Sequence, residues 1–409
     1  MKSFILLEEA LNILNENVEQ LDIEEVNLMD GITRILAKDV FSEIDNPPFN
    51  KSAMDGYAIK AEDSKSEEKI NVIDKVFAGN VCNSLVTSKT AVRIMTGAPI
   101  PSGANAVIKQ EDVKLIDHNY IVLNKSIKEN ENICFRGEDI KKGSLLVKKG
   151  KRLDYADIGI IASAGVEKIN VYKLPKIALI STGDEVIDID NKLMPGKIFN
   201  SNKYSIISRI KELGYDVSYT AHVNDSKGQI EEYISKLSKN MDLIITTGGV
   251  SVGEKDLLNE SIENINGKRL FWKVKIKPGS AVLCSKVNKS LVVSLSGNPT
   301  AALTAFELFV KTSLEKMSGY DNVKVKREKA VLCDDFIKNS PQRRFIRARA
   351  AIEEGKQVVY ITQIKSGNGI LSSNLNSNCM IEVQDGNEGI KVGEIVDIIK
   401  FLGEGTYDK

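Results

Sequence analysis

Histidine is nearly missing from this 409-residue sequence: there are two, His118 and His222. That leaves almost nothing for a histidine-based zinc site or a Ser-His-Asp triad. Any metal is to be sought among oxygen ligands, which points to magnesium. Five cysteines, Cys82, Cys134, Cys284, Cys333 and Cys379, lie far apart, and none forms a C-x-x-C pair. This argues against a disulfide scaffold and for reduced thiols in a cytoplasmic protein. Excess charge of either sign is also missing, with 56 Lys and Arg against 56 Asp and Glu. Broad binding to nucleic acid or to a membrane surface therefore has no support. No apolar run approaches membrane-spanning length, and Phe4–Leu7 is too short for a signal sequence, being stopped by Glu8 and Glu9. What remains is an ordinary soluble composition, long enough for several domains.

The informative stretch is 242–256. Leu243, Ile244 and Ile245 read as a buried strand, and the chain then turns on Gly248 and Gly249. Glycine there permits positive φ and close approach to a ligand. Ser251 is placed to cap the segment after the turn, where Glu254 and Asp256 set two carboxylates. The construction recurs at 176–185, where a strand meets Thr182-Gly183 and two acids, Asp184 and Glu185. It recurs again at 291–299, a strand followed by Ser296, Gly297, Asn298 and Pro299. Phe271–Ile276 leads similarly into Lys277-Pro278-Gly279. Ligands of open α/β sheets bind at the carboxyl ends of the strands, so one pocket served by all four turns is expected.

In chain order, Ser3 is positioned to cap a helix whose Leu7, Ala10, Leu11 and Leu14 share one face. Residues 70–138 alternate short β-rich runs with turns, which reads as a small β-rich domain inserted into something else. From Pro175 the order β-α-β-α-β predicts a parallel, three-layer sheet across 176–320. Within it Asn200-Ser201-Asn202 marks a helix start, and Asp225 follows a strand ending at Val223. Beyond Asn322 short strands return, as in a C-terminal β-domain or barrel.

Each candidate has a bland reading. Asp55, beside Gly56, reads locally as an Asp-Gly turn. A single acid at a strand end is usually a helix cap. Three such acids, Glu185, Asp225 and Asp256, would repel one another unless a divalent cation or protons compensate. Lys273, Lys275 and Lys277 alternate, so as a strand they would share a face, either a solvated edge or one reaching phosphate. Arg343, Arg344, Arg347 and Arg349 form a local basic cluster that reads as solvated strand surface, with contact to an anion from the last domain as the alternative.

Taken together, the motifs resemble the molybdopterin molybdenumtransferases, the MoeA and gephyrin E-domain group. The match runs in order through Pro47-Pro48-Phe49, Ser52-Ala-Met-Asp-Gly-Tyr-Ala58, Thr96-Gly-Ala-Pro99 and Gly137-Glu-Asp-Ile140. It continues through Ser181-Thr-Gly-Asp-Glu185, Gly248-Gly-Val-Ser-Val-Gly253, Lys277-Pro-Gly279 and Gly297-Asn-Pro299. The resemblance implies a multidomain α/β and β subunit. Its parts are an N-terminal domain from 1–45 plus 140–174, an inserted β-rich domain at 46–139, a molybdopterin-binding α/β domain at 175–322 resembling the pterin adenylyltransferases, and a β-domain at 323–409. It further implies a homodimer whose cleft joins the α/β domain of one subunit to the inserted domain of the other. The implied reaction takes adenylylated molybdopterin and molybdate, with magnesium, to molybdenum cofactor and AMP.

By the same resemblance Glu185, Asp225 and Asp256 hold the cation, and Asp55, Thr96 and Asp139 complete the site. Gly248, Gly249, Ser251, Lys275, Lys277, Pro278 and the Ser296-Gly297-Asn298-Pro299 turn would bind the pterin nucleotide. A pterin adenylyltransferase would deliver substrate, and a molybdoenzyme or carrier would receive product. Ser296 stands where the family usually has proline, and Asn105 and Asn368 replace a frequent aspartate and serine. Two other readings stay open: a pterin-binding scaffold without catalysis, and an adenylyltransferase one step earlier.

Overall fold

A computed structural model describes residues 2–65, 68–250, 257–321, 324–362 and 371–401. The chain forms two compact units, one of residues 25–171 and one of residues 1–24 with 172–409.

The larger unit is built on a seven-stranded sheet. Its order is Lys2–Ile5, Lys268–Val274, Leu283–Val287, Ser290–Leu295, Leu243–Thr247, Ile177–Thr182 and Val217–Val223. All positions of 177–182, 243–247 and 290–295 are buried, as strands covered on both faces must be. Alternate side chains serve opposite layers. Leu179, Ile245 and Val293 face one core with Leu14, Ile206, Ile210 and Phe306. Ala178, Ile180, Ile244 and Val292 face the other with Ile230, Ile234, Leu258 and Ile262. The three layers are those expected, but the sheet is not wholly parallel. Leu283–Val287 runs antiparallel to both neighbours. Only Asn288 and Lys289 separate it from Ser290, and Asn288 has φ +50°. Two residues close a hairpin, whereas a parallel crossover needs about a dozen.

Two further details differ from the sequence reading. Ser3 caps no helix; it lies in the Lys2–Ile5 strand, paired parallel with Lys268–Val274, and Leu6 precedes the Leu7–Asn17 helix. These first residues, grouped on sequence with the N-terminal domain, thus belong to the α/β sheet. Nor do the three lysines alternate on one strand: Lys273 has φ +61°, and the chain breaks between Val274 and the short strand Ile276–Lys277.

The last strands form a closed barrel. Arg343–Glu353, Lys356–Ile361, Glu328–Leu332, Ile395–Lys400 and Cys379–Val383 pair in that order, and the last returns to the first. Closure removes the free edges that would otherwise invite pairing with another chain. Ile346, Ala348, Val359, Ile381 and Ile398 fill its interior.

In the smaller unit Gly56–Ile59 lies between Ala106–Lys109 and Thr90–Ile94 in a six-stranded sheet. A helix at Tyr155–Ser163 starts on a capping box, Asp154 with Asp157. Among the described residues of the whole chain, no helix is long and apolar enough to cross a membrane.

Candidate functional site

Four parallel neighbours, Val217–Val223, Ile177–Thr182, Leu243–Thr247 and Ser290–Leu295, end side by side. Their turns therefore line one edge of the sheet: Asp225, then Glu185, then Gly248-Gly249, then Ser296–Pro299. Lys268–Val274 runs in the same direction two strands further on, and brings Lys275, Lys277 and Pro278 to that edge. At about 4.8 Å per strand, the edge from Asp225 to the lysines measures roughly 24 Å. Acids stand at one end of this edge and lysines towards the other.

The acid end is organised by the turn at 183–185. Gly183 has φ +131°. A Cβ there would lie 2.8 Å from Glu185 Oε2 and 3.0 Å from Oε1, so the absent side chain is what leaves room for the carboxylate. Asp184 Oδ1 accepts the backbone N–H of Asp225 at 3.1 Å, tying the two acidic turns together. Lys197 Nζ donates to the Asp184 carbonyl at 2.6 Å. The following segment is anchored by Asp188, which accepts from Lys203 and Tyr204. Those two donors hold the Asp188 carboxyl down to about 2. Exposed acids beside a glycine cradle, with hard oxygen donors, suit a magnesium ion better than a soft metal. Among the described residues no three acid, histidine or cysteine side chains stand close enough to hold a metal. The third predicted ligand, Asp256, lies outside the described residues, as does Ser251.

Next along the edge, Gly248 has φ +97° and Gly249 φ +67°. A Cβ on residue 248 would stand 2.6 Å from Thr182 Oγ1 and 2.8 Å from the Thr182 carbonyl. The Gly248 amide, expected to be open for an anion, instead donates to the Leu295 carbonyl at 3.0 Å. The ladder thus extends one residue past the strand and takes the Gly248 amide out of the candidate anion donors. In the neighbouring turn, Ser296 Oγ accepts from the Asn298 amide at 3.2 Å. Asn298 Oδ1 accepts from Ala301 N and caps the Pro299–Ala305 helix, with Pro299 in its first turn. Asn298 is thus held in place by its own helix.

At the far end, Lys275 Nζ lies 5.6 Å from the centroid of the Phe4 ring. Lys277 is exposed, on a strand paired with Arg344 of the barrel. Gly279 abuts the backbone of the Pro299–Ala305 helix, so the Lys277-Pro278-Gly279 turn sits beside the helix that Asn298 starts.

Asp55, Thr96 and Asp139 lie in the smaller unit. Asp55 Oδ1 accepts both the Thr96 amide and the Thr96 hydroxyl, each at 2.7 Å. The amide first and the hydroxyl second hold the Asp55 carboxyl below the ordinary aspartate range. Asp55 is therefore a fixed, ionised acceptor and not only an Asp-Gly turn. Asp139 exchanges contacts with Asn46 instead: its amide donates to the Asn46 carbonyl at 3.1 Å, and Asn46 Nδ2 reaches its carboxylate at 3.4 Å.

Sequence reasoning missed three residues that shape the larger unit's edge. Asp184 joins the two acidic turns, Lys197 braces one of them, and Asn202 donates to the Gly297 carbonyl at 2.8 Å. Asn200 does cap its helix, accepting from Lys203 N at 3.1 Å. The same Asn-Ser-Asn signal gave no hint that its last member would reach a turn 95 residues away.

A doubly covered α/β sheet with glycine turns and acids along its carboxyl edge, joined to a closed β-barrel and accompanied by a β-rich unit, defines a multidomain α/β protein whose strand-end turns gather on one edge. Residues 5–165 match the MoeA N-terminal region (domain I and II), residues 178–316 the family described as "Probable molybdopterin binding domain", and residues 329–401 the MoeA C-terminal region (domain IV). A protein of Staphylococcus epidermidis named molybdopterin molybdenumtransferase is 38% identical over 401 residues, 97% of this chain and 95% of that one. One of the same name from Staphylococcus aureus is 36% identical over 400 residues, with the same two coverages. The crystal structure of a molybdopterin biosynthesis MoeA protein from Pyrococcus horikoshii covers 98% of this chain and 100% of its own, with TM-score 0.83 and 32% identity. The chain belongs to the molybdopterin molybdenumtransferase (MoeA) family.

Proposed function

We propose that this chain inserts molybdenum in molybdenum cofactor biosynthesis, taking molybdate and adenylylated molybdopterin and releasing AMP. The observation that carries this reading is the layout of the sheet edge in a member of this family: acids at Asp225 and Glu185, glycine turns between, lysines at the other end. A pterin nucleotide carries a diphosphate that wants both a cation and fixed donors, at separate positions along its length. The Gly249 amide, Lys275 and Lys277 hold oxyanion oxygens, with Pro278 and the Ser296–Pro299 turn shaping the wall. Glu185 and Asp225, with Asp256, would hold magnesium, and the ion would supply positive charge to offset that of the diphosphate oxygens. Asp55, fixed by Thr96, and Asp139 complete the site from the second subunit of a homodimer. A pterin adenylyltransferase supplies the substrate and a molybdoenzyme or carrier takes the product, in the cytoplasm.

The test is AMP release from adenylylated molybdopterin with and without molybdate. Release that depends on molybdate is expected. Bound pterin nucleotide with no release above background would make the protein a scaffold and overturn the reading.

A further inference from the structure

Solvated surface is the expected place for the arginines of the Arg343–Glu353 strand, and two of the four leave it. Arg347 is 5% exposed, with the Phe401 ring 4.4 Å from its guanidinium carbon. The Arg343 side chain is 14% exposed and enters a cluster of four charges. Its Nη1 donates to Glu8, in the first turn of the Leu7–Asn17 helix, and lies 3.3 Å from Glu382 Oε1. Glu382 stands on the neighbouring barrel strand, Cys379–Val383, with its side chain fully buried. Arg327 grips the same carboxylate with Nε and Nη2, the latter at 3.0 Å, and that Nη2 stands 4.0 Å from Glu8. Asp397, opposite Glu382 in register, is taken up by Lys329 at 2.9 Å. Two guanidiniums and two carboxylates thus form a ring that ties the barrel to the first helix of the α/β layer.

The strand beside that ring carries a lysine of the sheet's carboxyl edge. Ile276–Lys277 follows the α/β strand Lys268–Val274 almost at once, yet its ladder partner is the barrel: Ile276 pairs with Arg343 and Lys277 with Arg344. Lys275 stays with the α/β sheet, its amide donating to the Ile5 carbonyl at 2.8 Å. The two lysines are therefore held by different sheets, with Ile276 alone between them. The Ile276 side chain is buried in one core with Phe345 and Met380. Apolar packing is non-directional, so the direction of Lys277 comes from the ladder and from what fixes Arg343. Charge-assisted hydrogen bonds, such as those of Arg343, are short and directional. We propose that Arg343 is a positioning residue: clamped between Glu8 and the buried Glu382, it fixes the Lys277 strand relative to Lys275, so that both ammonium groups meet one diphosphate. The proposal rests on the transferase reading of these two lysines. Arg343 acts through the Lys277 backbone and not by contact with substrate.

The test is a double-mutant cycle, read by calorimetric titration of the full chain with inorganic pyrophosphate at fixed magnesium. Lys277→Met should weaken binding by about tenfold or more, the usual loss for one hydrogen bond to a charged group. Arg343→Met leaves Glu382 paired with Arg327 and should lose a comparable factor. The double variant should bind as Lys277→Met does, because Arg343 then has nothing left to position. A purely structural arginine would lower the melting temperature and leave the cycle additive. Unchanged binding in Arg343→Met, or a double variant that loses the product of both factors, would overturn the proposal and leave the reading of Lys277 standing. Unchanged binding in Lys277→Met would overturn both. Arg343→Lys keeps a charge beside Glu382 without the planar fork that spans two carboxylates. It should recover part of the affinity, and it carries the cycle if Arg343→Met does not fold. Amide hydrogen exchange gives a second measurement: the Ile276–Lys277 segment should exchange faster in either variant of Arg343 than in the natural chain, with Leu243–Thr247 unchanged. Equal protection at 276–277 would refute the assignment.

Discussion

Replacing Gly248 by alanine is the sharpest perturbation of the cleft edge, because two separate costs fall on one added methyl. At φ +97° a side chain costs on the order of 1–2 kcal/mol through its clash with the following carbonyl. The same Cβ would stand 2.6 Å from Thr182 Oγ1 and 2.8 Å from the Thr182 carbonyl. The hydroxyl can rotate away, but the carbonyl belongs to a fully buried strand and cannot. Overpacking of that kind costs about 1–3 kcal/mol more. The sum is about 2–5 kcal/mol, equivalent to a drop on the order of 10 °C in melting temperature for a unit of this size. Gly159→Ala is the matched control. Gly159 lies within the Tyr155–Ser163 helix and needs no positive φ, and a methyl added there would meet no atom within 4 Å. That change should stabilise the smaller unit by about 0.5–1 kcal/mol. Differential scanning calorimetry on both variants checks the pair. A Gly248→Ala protein that melts within a degree or two of the natural chain would refute the claim that this turn admits only glycine.

Other outcomes follow from single contacts. Thr96→Val removes one of two donors to Asp55, so the Asp55 pKa should rise toward the ordinary aspartate value, as read by carboxyl carbon NMR. Because the folded pKa is depressed, the stability that ionised Asp55 contributes is present above the unfolded pKa and disappears as pH falls through the folded one; in the variant, where only the Thr96 amide bond remains, that contribution should be smaller and fade at higher pH. Glu185→Gln or Asp225→Asn should lower molybdate-dependent AMP release by roughly 10²–10³-fold with little change in melting temperature, a typical loss for one charge-stabilising group; unchanged turnover would discard both as cation ligands. Glu307→Gln strips Arg209 of its buried carboxylate partner and should cost about 3–5 kcal/mol, measured by urea unfolding. Burial pushes the Cys379 thiol up to about 12 and Cys284 higher still, so neither should react with a thiol reagent until the chain unfolds, while half-buried Cys134 reacts in the native state.

Much of the larger unit could be read without coordinates, because it is written in local terms. Continuous apolar runs such as Leu243–Thr247 mark strands covered on both faces, and the 3.6-residue spacing of Leu7, Ala10 and Leu14 marks the face of a helix. Glycine after a strand end signals a turn that no other residue makes cheaply, and Gly183, Gly248 and Gly249 all take positive φ. What those patterns do not carry is which strand neighbours which, and how far apart two chemically apt residues end up. Strand order spreads the strand ends from Val217–Val223 to Lys268–Val274 over roughly 24 Å of sheet edge. A two-residue hairpin reversed the Leu283–Val287 strand, and a left-handed Lys273 broke an alternation that looked regular in the sequence.

The same division holds for the polar residues. Composition alone left almost nothing for histidine chemistry and drew attention to the acids at 185 and 225, since residue type and strand-end position are properties of the sequence itself. The tertiary structure decided that Asp55 is gripped by Thr96 from 41 residues away, that Asp184 rather than either predicted ligand links the acidic turns, and that Arg347 is enclosed while Lys277 is exposed. Hydrogen bonds and burial depend on what lies across a gap in space, and a charged residue on a strand reads alike whether its neighbour is solvent, as at Lys277, or the ring of Phe401, as at Arg347.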